Sequence, residues 1–134
     1  MGKPRKKRNR VLYLPIGMLN ENMSIYFSDL PYLLKAVKRC AKDEAEYKDK
    51  KEWLEKEKEG GFMRIEKKDG HSHVIWVPDF DSTITKRGVL VHECVHAAAA
   101  ILEAKGIPLR LENDEILAYL TEYIFKESLS FVIK

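Results

Sequence analysis

Residues 92–96 read His-Glu-Cys-Val-His, two histidines four apart with a glutamate directly after the first. On a helix, residues four apart lie nearly one above the other on the same face. His92 and His96 therefore direct two imidazoles at one point, which suits two ligands of a single tetrahedral zinc. Glu93 projects to the flank of that face, within reach of a water polarised by the metal, and so is placed to act as general base. Cys94 and Val95 point elsewhere and are free to serve packing. Histidine is scarce, with four in 134 residues, so finding two of the four in this pattern argues against coincidence. The plain alternative is a helix that happens to carry two histidines.

The flanking residues must build a helix that holds this constellation. The stretch 83–105 (TITKRGVLVHECVHAAAAILEAK) is rich in helix formers. Asp81 or Ser82 can cap its start, and Gly106 followed by Pro108 stops it. Around the motif it is apolar on nearly every side, which predicts a buried helix. Two imidazoles and a carboxylate buried together need partners, and a metal supplies one. Catalytic zinc usually takes three protein ligands and keeps a fourth position for water. A third candidate lies in 111–126 (LENDEILAYLTEYIFK), a second helical pattern with Asn113 as N-cap. If the two helices pack antiparallel, Glu115 in the first turn comes to lie opposite the histidines. Asp114 is the alternative ligand. Both acids also favour a helix start, with or without a metal.

From His92 to Glu115 the pattern is HExxH, eighteen residues, then Glu. That spacing resembles the gluzincin metallopeptidases, in particular those related to aminopeptidase N, where the glutamate opens a helix in a stretch similar to Asn113-Asp114-Glu115-Ile116-Leu117-Ala118-Tyr119. The resemblance implies His92, His96 and Glu115 as ligands of one zinc per chain, and Glu93 as general base. It extends over residues 81–125 only, with no counterpart of the aminopeptidases' amino-group-binding glutamates or additional domains. The overall plan is more similar to compact zincin-like proteins of phage and bacterial genomes. Thermolysin-like gluzincins carry an aspartate four residues after the ligand glutamate, and here Tyr119 stands there. Its hydroxyl can orient a metal-bound histidine or donate to an oxyanion, or the ring can be a core aromatic. Asp81 is another candidate for the outer shell.

The remaining sequence reads as the frame of a small α+β domain spanning residues 11–134. Residues 11–16 (VLYLPI) form a strand pattern, and residues 26–28 are ambiguous. From Pro31 to about residue 59 one long N-terminal helix is expected, with Ser28 or Asp29 near its start, an apolar face in its first half and mostly charge in its second. Residues 62–67 and 73–77 read as two strands of a hairpin around Lys68-Asp69-Gly70. His71 and His73 share one face of that pattern. A metal role is conceivable for the pair and an oxyanion donor role for His73, but turn and strand residues at the surface are the expected reading. Cys40 and Cys94 sit on apolar helical stretches, as reduced core thiols rather than a disulfide.

The first ten residues, MGKPRKKRNR, carry six basic groups. They read as a disordered basic arm able to make weak contact with nucleic acid. With a net charge of +3, the rest of the chain carries −3, which argues against a basic groove across the folded body. There is no secretory signal pattern and no apolar run long enough to span a membrane, so a cytoplasmic protein is expected. The function this predicts is zinc-dependent hydrolysis of a peptide or protein substrate. The alternatives are a zinc-stabilised interaction module without peptidase activity and a DNA-associated protease similar to the SprT-like group.

Overall fold

The computed structural model describes residues 9–57 and 59–133. Among them, four α-helices and a four-stranded mixed sheet make an α+β fold. Strands β1 (Arg10–Ile16) and β2 (Glu21–Phe27) are joined by a 3-10 turn, in which Asn20 takes a left-handed conformation (φ 51°). Helices α1 (Leu30–Cys40) and α2 (Glu44–Lys56) precede the hairpin of β3 (Gly61–Lys67) and β4 (Gly70–Trp76). Helix α3 (Ile84–Ala104) carries the HECVH residues, and α4 (Asp114–Val132) closes the chain. The sheet order is β1-β2-β4-β3, with β2 and β4 parallel and the other neighbours antiparallel.

Alternation along the strands decides the layering. Met23, Ile25, Phe27, Ile75 and Val77 turn to one face and pack with Leu90, Cys94, Ala97, Ile101 and Ile124 of α3 and α4. Tyr26, Met63, Ile65, Val74 and Trp76 turn to the other and pack with Leu33, Val37 and Leu54 of α1 and α2. Because both faces are apolar, helices must cover both, and the sheet lies in the middle of three layers.

The long helix expected from Pro31 onward is two helices. The chain turns extended at Ala41 (ψ 140°) and restarts at Asp43, whose carboxylate accepts a hydrogen bond from the Glu46 amide at 2.9 Å. An aspartate cap competes well with an uninterrupted helix at that point. The break also lets Lys42 N–H donate to Glu66 O of β3 at 2.8 Å. Asp29 caps α1. Strand β2 was only hinted at by residues 26–28, since its polar Glu21, Asn22 and Ser24 mask the period-two pattern of Met23, Ile25 and Phe27.

Residues 1–8 of the expected basic arm lie outside the described residues. Arg10, counted in that arm, instead opens β1. Its guanidinium donates to Phe131 O (2.8 Å) and Val132 O (3.2 Å) and sits over the Phe131 ring, tying the start of the sheet to the end of α4. No helix among the described residues is long and apolar enough to cross a membrane.

Candidate metal centre

Helix α3 starts at Thr83, whose hydroxyl accepts from the Lys86 amide at 3.2 Å. Asp81 does not cap the helix itself. Its carboxylate accepts from the Thr83 amide (3.1 Å) and orients the cap. From there α3 runs for almost six turns, and a single face of it is buried: Leu90, Cys94, Ala97, Ala98, Ile101 and Leu102. The expectation of a helix buried all round does not hold, because the sheet covers one flank and α4 another. Val91 and Val95 stay 38% and 43% exposed and line an open groove toward α4. His92 and His96 face outward. Of the three motif side chains only Glu93 is buried, at 8% exposure.

The two imidazoles nevertheless converge. His92 Nε2 and His96 Nε2 lie 3.2 Å apart, with the rings edge to face at 4.8 Å between centroids. Two nitrogens bonded at about 2.05 Å to a tetrahedral zinc would be about 3.3 Å apart, so this pair fits one metal with little movement. Glu93 Oε1 lies 3.8 Å from His92 Nε2. Burial holds the Glu93 carboxyl above the usual carboxylate range; His92 and His96 oppose that shift and Glu57 adds to it. A carboxylate raised in this way is a better proton acceptor near neutral pH than a solvated one.

The acids of α4 do not close on the two imidazoles. Asp114, Glu122, Leu117, Ala118, Thr121 and Phe125 line the groove with Val91 and Val95; Glu115 does not line it, and both Asp114 and Glu115 are exposed. Among the described residues, no third His, Cys, Asp or Glu places a ligand atom within 4.8 Å of both imidazoles. Asn113 precedes α4 without a capping hydrogen bond to it, its side-chain amide donating to Pro108 O (2.8 Å) instead. Tyr119 is 67% exposed, not a core aromatic. It lines a separate apolar cleft with Ile16, Met18, Leu19, Ile116 and Tyr123.

His73 departs from the expected surface position. It is fully buried on β4, and burial holds its pKa below the usual histidine value, with Glu21 opposing. Beside it are His71 and Glu21, and the latter carried no signal in the sequence because β2 itself was hidden. Burial pushes the Glu21 carboxyl up, but His71, His73 and Lys105 together hold it below its ordinary value. Among the described residues, Glu21, His71 and His73 form a group whose ligand atoms all lie within 4.8 Å of one another, as holding a metal ion requires. Cys40 and Cys94 are both free thiols, the second fully buried.

No family model matches this sequence, and no match was found among curated proteins or solved structures. The likeness to gluzincins thus stands on the motif residues alone.

Proposed function

We propose that this protein is a metal-dependent hydrolase of peptide bonds, with His92 and His96 as metal ligands and Glu93 as general base. The observation that carries the reading is the 3.2 Å convergence of the two imidazole Nε2 atoms on an exposed helix face, directly beside a carboxyl raised by burial. A divalent zinc-like ion held there would acidify water and polarise a scissile carbonyl. Glu93 accepts the proton of the attacking water and returns it to the leaving amine. Following the motif spacing, Glu115 is the proposed third ligand and Asp114 the alternative; either must swing toward α3 to complete the set.

The sheet supports an extended substrate. Helix α3 packs against β3 and β4, and β3 is the outer strand on that side. Its edge is occupied at one point: Glu66 N–H donates to Glu46 of α2, and Glu66 O accepts from Lys42 N–H. The same alternation turns the amides of Phe62 and Arg64 outward. A peptide pairing there gains backbone hydrogen bonds without a demand on its sequence.

The test is zinc content and cleavage of a mixed peptide library, compared among wild type, Glu93→Gln, Glu115→Ala and Asp114→Ala. Glu93→Gln should keep the metal and lose cleavage by at least about 100-fold. Whichever of the other two loses metal names the third ligand. Retained zinc with no cleavage of any peptide by wild type would favour the alternative of a metal-stabilised interaction module.

A further inference from the structure

Three side chains from two strands, one of them fifty residues from the others, meet under the end of α3. His71 and His73 are two apart on β4 and so share a face. Strand β2 runs parallel to β4 with Met23 beside His73, and Glu21, two residues before Met23, therefore falls beside His71. Glu21 Oε2 lies 3.1 Å from His71 Nε2 and 3.4 Å from His73 Nε2. Both separations are close to the roughly 3.3 Å between neighbouring ligands of a tetrahedral zinc. The other carboxylate oxygen, Oε1, is held by Lys105 Nζ at 3.5 Å, which leaves Oε2 facing the imidazoles.

An ordinary ion pair does not account for the whole arrangement. His73 is 0% exposed; among the described residues its Nδ1 has no hydrogen-bond partner, and its Nε2 has the 3.4 Å contact with Glu21 Oε2 but no well-formed hydrogen bond. Buried polar atoms without partners are rare and costly, and each calls for an explanation. The Phe62 ring lies nearly parallel to the His73 imidazole, with the ring centroids 6.0 Å apart. His71 is partly exposed, with 23% of its side chain open, so the group has an approach from solvent.

We propose that Glu21, His71 and His73 form a second metal site, taking a divalent ion of the zinc class through one carboxylate oxygen and two imidazole nitrogens, with water in the open position. Two histidines and one carboxylate are a donor set that zinc takes readily. The site is separate from HECVH: Lys105, at the end of α3, lies nine residues beyond His96, roughly 13 Å further along the helix axis. An ion here clamps the start of β2 to β4, while Lys105 at the end of α3 holds the other carboxylate oxygen of Glu21.

The chain contains only four histidines, which makes the test clean. In the double variant His92→Ala/His96→Ala the remaining imidazoles are His71 and His73, and both substitutions fall on an exposed face. Zinc is titrated into the chelator-treated variant, and the imidazole nitrogens are followed by NMR. The expected result is that both rings shift together, saturating at one zinc per chain. Glu21→Gln in the same background should weaken binding by more than the roughly 10- to 100-fold that loss of an outer partner costs. Rings that do not move under excess zinc, or that respond equally in the Glu21→Gln variant, would overturn the site. Should the double variant fail to fold, the same titration on wild type reads the His71 and His73 signals separately. Peptide cleavage by wild type is an independent readout, so loss of one proposal leaves the other standing.

Discussion

Two neighbours, Glu93 and Cys94, show how one helix turn makes opposite environments. Glu93 is buried beside two exposed imidazoles, while Cys94 points into the core. Burial pushes the Cys94 thiol up to about 12, with Glu93 adding to the shift. Burial also raises the half-buried Cys40, and Lys67 and Arg39 oppose it. The thiolate is the reactive form, so native protein at pH 8 should react slowly with a disulfide reagent, Cys40 before Cys94. Two thiols per chain should titrate promptly once the protein is unfolded. Fast labelling of Cys94 in native protein would show that α3 opens away from the sheet. The same scale is where the sequence was most legible, because residues four apart converge on any helix. It was least legible for His73, whose burial depends on which strands flank β4.

At the scale of elements, the break between α1 and α2 and the close contact of α2 with the sheet can be tested separately. Asp43→Ala removes the cap of α2 and should cost about 1 kcal/mol in chemical unfolding. Gly60 and Gly61 sit where α2 hands over to β3. Gly60 has φ +117°, and a Cβ there would lie 2.5 Å from Trp76 O; one on Gly61 would lie 2.6 Å from the Trp53 ring. Gly60→Ala combines strained backbone with a clash against main chain and should cost on the order of 1–3 kcal/mol. Gly61→Ala is met by a side chain, so Trp53 can yield. It should cost less and show mainly as a changed Trp fluorescence. Equal losses at both positions would mean that the Trp53 ring is fixed as firmly as the backbone.

For the whole molecule, the shared consequence of both proposed centres is linkage between metal and folding. An ion bound only by the folded state stabilises it by about 2.7 kcal/mol per site when its free concentration is 100 times Kd. Chelator should therefore lower Tm in wild type, by less in His92→Ala/His96→Ala, and by least when Glu21→Gln is added to that double variant. A Tm indifferent to chelator throughout would argue against both centres at once. The three layers also predict where large truncations hurt most. Ile101→Ala, in the core between α3 and the sheet, should cost about 2–5 kcal/mol.

The sequence by itself determined the helix bearing His92 and His96, the hairpin at Lys68-Asp69, the first strand and the α+β class. Each of these rests on local periodicity, capping and turn chemistry, which are properties of neighbouring residues. Tertiary structure alone decided which side of α3 meets solvent, because that depends on how the sheet and α4 share its circumference. It alone decided that Asp114 rather than Glu115 lines the groove, since one helical step is a 100° turn. And it alone brought Glu21 to His71 and His73: parallel pairing of β2 with β4 joins residues fifty positions apart, and no local pattern encodes that register.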